Sequence, residues 1–143
     1  MQAAPRQAYA LLRLILGIDM FLHGATRIGS GVGGFAATVV RDFHAALLPA
    51  PLVQGYALAL PFAEALIGAL LILGLFTRFA VVLGSLFMAS LIFGTALRSD
   101  WNTAGLQLIY AAIYYLLLAK IGDNAYSVDG LRRRPRESEN RGG

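Results

Sequence analysis

Four long apolar runs, each broken by very few polar groups, limit what this chain can fold into more than anything else in it. They cover roughly Ala8–Ile28, Ala57–Phe76, Phe79–Leu97 and Leu106–Lys120. A helix crosses the ~30 Å core of a bilayer with ~20 apolar residues at ~1.5 Å rise each. Of the 143 residues, 57% are apolar and 14% charged, whereas a soluble domain carries about 25% charged residues. The expectation is an all-α, polytopic membrane protein: a four-transmembrane-helix bundle over residues 1–131, with spans at about 8–28, 57–76, 79–97 and 106–120. The lipid bilayer is its first partner. Residues 132–143, rich in Arg, Glu, Ser and Gly, are expected to form a basic, disordered tail.

The chain has no cysteine. That removes disulfides, thiolate nucleophiles, iron–sulfur clusters and c-type haem attachment. His23 and His44 do not make a bis-histidine pair at one height, and no Glu-x-x-His repeat of a di-iron bundle is present. No metal site is expected. The first run follows Arg6, as a signal peptide would, but it is too long and carries Arg13 and Asp19, so it reads as a retained helix.

The net charge of +4 comes mostly from Arg132, Arg133, Arg134, Arg136 and Arg141. Basic residues flanking a last span mark the cytoplasmic side, so no nucleic-acid partner is inferred. With four spans, both termini are then cytoplasmic, together with Arg78 and Lys120. Arg27, Arg41 and Arg98 fall outside, and Trp101 sits at the outer interface. In the loop from Gly29 to Gly55, Phe35, Val39, Phe43, Ala46 and Leu47 recur at helical spacing before Pro49. A short interfacial helix within Phe35–Leu48 is expected, lying on the outer surface or capping the bundle. Ala65 with Ala69, and Ser90 with Gly94, are small-residue pairs suited to close helix packing.

Polar groups inside the spans are the candidate functional residues, because a charge at the bilayer centre costs at least ~2.5–3.5 kcal/mol. Counting from the inner helix ends, Asp19 lies ~16 Å deep, Glu64 ~18 Å, Gln107 ~20 Å and His23 ~22 Å. Asp19 and His23 share a face at i, i+4; Gln107, Tyr110 and Tyr114 share a stripe. His23, Glu64 and Gln107 are therefore expected to face one another. Each has a bland counterpart. Glu64 and His23 also suit interhelical pairing, Tyr110 and Tyr114 suit packing, and Arg13 suits anchoring at the inner surface.

Leu12-Arg13-Leu14 followed by Phe21-Leu22-His23-Gly24 resembles the first helix of the DoxX family. Pro61-Phe62-Ala63-Glu64, then Leu73-Gly74-Leu75-Phe76-Thr77-Arg78, resembles its second helix and turn. Ala125-Tyr126-Ser127-Val128-Asp129-Gly130-Leu131 is similar to its ending after the fourth span. The resemblance implies a four-helix inner-membrane protein, with Arg13, His23, Gly24 and Glu64 at motif positions. One branch of the family is linked to thiosulfate:quinone oxidoreductase, others to oxidative-stress or terminal-oxidase complexes. It implies quinone as the cofactor and two readings: a quinone-linked oxidoreductase subunit, or a non-catalytic accessory subunit of a larger electron-transfer complex. In the first, His23, Glu64, Gln107 and Tyr110 contact the headgroup or relay protons. Other membrane subunits or a homo-oligomer are the implied protein partners.

Overall fold

The computed structural model describes residues 3–46 and 48–132. Every regular element among them is helical: α1 (Ala3–Gly29), α2 (Val32–Asp42), α3 (Ala50–Leu73), α4 (Thr77–Leu97), α5 (Trp101–Ala119) and a short 3-10 turn at Ile121–Asp123. All but α2 and the turn are long and apolar enough to cross a membrane. The part of the basic tail beyond residue 132, and Leu47 of the amphipathic segment, lie outside the described residues.

The helices run past the apolar runs at several ends. α3 starts seven residues earlier than the hydropathy suggests, because Pro49 is its N-cap and Pro51 falls in its first turn, where a missing N–H costs nothing. α5 starts at Trp101, where the Asp100 carboxylate accepts from Thr103 N–H at 3.1 Å and caps an otherwise polar first turn. The amphipathic segment is helical, but over Val32–Asp42 rather than Phe35–Leu48.

α1 and α3 form the tightest pair. Their small residues face each other: a Cβ on Gly24 would lie 2.3 Å from Pro61 O, and one on Gly68 2.3 Å from Phe21 N. Backbones this close gain dispersion contacts that no lipid tail can replace. The small residues that bring them together are Gly17, Gly24, Ala65 and Gly68, a set that overlaps the expected pairs only at Ala65. α4 packs mainly on α5, with the Tyr114 ring seated against Gly84. The core is built from Leu16, Met20, Ile67, Leu71, Val81, Met88, Tyr114 and Leu117.

α1 begins, and the chain after α5 returns, at one end of the bundle, here the tail end. The turn between α3 and α4 closes there. Gly74 (φ 63°) and Phe76 (φ 47°) are both left-handed, a conformation that is costly for Phe. Asp129 holds it: its carboxylate accepts from Phe76 N–H (3.0 Å) and Thr77 N–H (2.7 Å), and its own N–H donates to Gly74 O (3.1 Å). Asn124 donates to the Thr77 hydroxyl at 2.8 Å. Arg13, 4% exposed, donates to Tyr126 O at 2.9 Å. The opposite, loop end carries α2, which packs on α3.

Candidate functional site

Two cavities occupy the loop-end half of the bundle and meet at one partition. The larger, about 390 Å³, lies under α2 and between α3, α4 and α5. Phe35 and Val39 of α2 and its C-cap Phe43 roof it, and Tyr56, Leu60 and Leu91 wall it. Leu52 and Phe93 also line it while remaining more than half exposed, so its mouth is on the outer surface of the bundle. The smaller, about 250 Å³, lies between α1 and α5 and is lined by Asp19, Met20, His23, Arg27, Thr103, Leu106 and Tyr110, among others. Arg27, Glu64, Leu91 and Gln107 line both.

The partition is the electrostatic centre. Glu64, 4% exposed, forms an ion pair with Arg27. Placing Gly24 opposite Pro61 and Ala65 puts Glu64 near the level of that glycine. Arg27, one turn further along, reaches back to it because helical side chains lean toward the N-terminus. Gln107 Oε1 accepts from the Thr95 hydroxyl at 2.8 Å, which leaves its amide Nε2 to donate elsewhere. On the far wall, the Tyr56 hydroxyl and Ser90 Oγ are 2.6 Å apart, and the Tyr56 ring stacks on Phe87 at 6.4 Å.

α2 is latched over the larger cavity by two guanidiniums. Arg27 Cζ lies 4.8 Å from the Phe35 ring centroid, and Arg98 Cζ 5.2 Å from that of Phe43. Such contacts are worth roughly 0.5–2 kcal/mol, most when shielded from water. Arg98 also bridges Asp42 (3.3 Å) and Asp100 (3.2 Å). α2 is thus a cap on the bundle, one of the two placements its amphipathic pattern allows.

The residues singled out from sequence go to different places. Glu64, Gln107, Asp19, His23 and Tyr110 all line the smaller cavity. His23 does not pair with Glu64. Its Nδ1 faces Asp19 O (2.9 Å) and Asp19 Oδ2 (3.3 Å), and its side chain is 48% exposed. Two acceptors on Nδ1 require that nitrogen to carry a proton, which leaves Nε2 pointing away. Tyr114 is fully buried in the core. Arg13 belongs to the tail-end clasp. The residue that sequence reasoning missed is Arg27, which had been placed at the outer surface. Asp19, His23 and Arg27 fall at i, i+4, i+8, and that stripe was the available signal.

A quinone headgroup needs a flat apolar slot, hydrogen-bond donors at its carbonyls and access from lipid. The larger cavity has aromatic walls, Arg27 and the Gln107 amide at its inner end, and a lateral mouth, and its volume is within the ~300–1,000 Å³ typical of ligand sites. These residues fit the group.

Fold and cavities together define a multi-pass helical membrane protein with a polar-ended internal site. A family model described as DoxX matches residues 8–96, more than half the chain, and the protein belongs to the DoxX family. No curated protein and no solved structure matches the chain.

Proposed function

We propose that this chain is an inner-membrane subunit with a quinone-linked redox role, and that the cavity under α2 takes the quinone headgroup. The observation that carries the reading is the cavity's construction: apolar walls ending on a buried carboxylate, the guanidinium paired with it, and an amide. A bound quinone supplies two carbonyl oxygens that accept hydrogen bonds and take up protons on reduction. Arg27 and Gln107 donate to those oxygens. Glu64 holds Arg27 in place and is the group on the partition that can gain or lose a proton. Electrons come from a partner membrane protein. The tail end, with Arg78, Lys120 and the arginines from residue 132 onward, is placed in the cytoplasm.

One observation favours the accessory-subunit reading. The Arg27–Glu64 pair joins the same two helices that Gly24 and Gly68 bring together, so it also works as an interhelical clasp. Binding separates the two readings. A short-chain ubiquinone analogue is titrated into detergent-purified protein, following quenching of Trp101. Glu64→Gln keeps the shape and removes the charge that fixes Arg27. Hydrogen bonds involving a charged group are worth ~1.5–3 kcal/mol, so Kd should rise about 10- to 100-fold. Unchanged Kd with a lowered Tm supports the clasp and defeats the quinone reading.

A further inference from the structure

The smaller cavity has a wall unlike that of the larger one. On α1 it is lined by Asp19, His23 and Arg27, on α3 by Glu64, and on α5 by Thr103, Gln107 and Tyr110. α4 contributes only Met88 and Leu91. Thr103 lies in the first turn of α5, and Arg27 two residues from the end of α1, so the cavity begins at the loop-end surface. It runs inward to Asp19, ~12 Å along α1. Below Asp19 the groove between α1 and α5 continues, but Leu12, Ile15, Leu16, Leu106, Ile109 and Ile113 make it apolar down to Leu12. The polar lining therefore opens at the loop-end surface and ends at Asp19 and Tyr110.

Three details suit water in it. Asp19 and His23 keep 38% and 48% of their side chains exposed, although they stand well inside a span, where contact with lipid is expensive. Asp19 Oδ2 is enclosed by protein, with the His23 Nδ1 approach at 3.3 Å and the Tyr110 hydroxyl as its polar neighbours. The volume holds several waters, each with two or more polar partners available. Glu64 is the one carboxylate among the described residues that lines both cavities.

We infer that the smaller cavity is a one-sided hydrated chamber through which protons pass between the loop-end surface and Glu64. A proton enters past Thr103 and is held at His23 Nε2, opposite the Nδ1–H that faces Asp19. It then crosses by water to a Glu64 carboxylate oxygen: the N–H bond breaks as the carboxyl O–H forms, and the carboxylate loses its charge. From Glu64 the proton is available to whatever fills the larger cavity. This deepens the quinone reading and rests on it only for that last use.

The chain has no native cysteine, so single cysteines report water access cleanly. Met20→Cys and Met88→Cys, both buried, line the chamber. Leu71→Cys is buried away from both cavities, and Leu108→Cys is on the outer surface. A charged, impermeant methanethiosulfonate reacts with the thiolate, which lipid and core disfavour as they do other charges. Chamber positions should react about fiftyfold faster or more. The proton step is read separately with dicyclohexylcarbodiimide, which modifies protonated carboxyls. Mass spectrometry should find Glu64 modified increasingly as pH falls, and less so once the Met20→Cys adduct fills the chamber. Equal reactivity at all four cysteines, or no modification of Glu64 at any pH, overturns the inference. Neither measurement uses quinone, so failure of quinone binding leaves both results standing.

Discussion

Each end of the bundle contains an arginine and a carboxylate, and the two ends use them oppositely. At the tail end, Arg13 donates to a backbone carbonyl, and Asp129 satisfies two backbone N–H groups of a strained turn. The helices there approach until a single methyl would collide. At the loop end, Arg27 and Glu64 pair side chain to side chain. α1 and α3 stay in close contact there too, at Gly24, but two cavities meet at that pair beside them. Polar groups that satisfy backbone hold a fold together, even though Arg13 Nε and Nη1 and Asn124 Oδ1 keep no partner of their own. Polar groups that satisfy only each other, at a cavity wall, can be drawn apart by one. The lesson is that a buried charge in a span says nothing of function until its partner is known.

The sharpest way to break this contrast is to add one methyl at each end. At Gly68 a Cβ meets the backbone of Phe21 at 2.3 Å, and backbone cannot move aside. Gly68→Ala should cost about 1–3 kcal/mol or more. Gly55, in the part of α3 that flanks the larger cavity, has nothing within 4 Å of its would-be Cβ. Gly55→Ala should be neutral or stabilising by up to ~1 kcal/mol, since glycine is the poorer helix former. Thermal unfolding in one detergent compares them directly. Similar losses at both sites would mean that the loop end is as tightly determined as the tail end.

A smaller effect tests the clasp alone. Asp129→Ala removes the acceptor for Phe76 and Thr77 N–H, and loss of a helix-capping side chain costs ~0.5–2 kcal/mol. The loss should appear as a lower Tm, with the quinone-analogue Kd unchanged, because none of the cavity residues moves. A weakened Kd would show that the two ends are coupled.

What the sequence made legible follows the same division. Hydropathy set the four spans, and the i, i+3, i+4 spacing revealed α2. The tail-end motifs were visible as short strings. Their purpose was not, because a carboxylate capping a turn 52 residues away leaves no periodic trace. At the loop end, depth counting brought Glu64, Gln107, Asp19 and His23 to one region. It did not find Arg27 as the partner of Glu64, because counting Cα positions ignores the reach of an arginine side chain. It also treated Tyr114, at i+7 from Gln107, as part of the polar stripe. Tyr114 packs instead against Gly84, a contact decided by which glycine lies on α4.

The gentlest test concerns the electrostatic latch at the loop end, where Asp100 joins α5 to Arg98. Hydrogen bonds from Thr103, side chain first and then backbone, hold the Asp100 carboxyl below its ordinary value, with Arg98 adding to the effect. A carboxyl depressed in the folded state lends stability that is full above the ordinary carboxylate range and is lost as pH falls through the depressed value. The first turn of α5 should therefore loosen only in acid, seen as faster amide hydrogen exchange at Thr103. Asn is also a good N-cap, so Asp100→Asn should keep the helix start and lose the acid-side change. At neutral pH its exchange rate should lie close to that of the unaltered chain. If the variant keeps the same acid dependence, another group governs the loop end, and Arg98 holds α2 through Asp42 rather than through the start of α5.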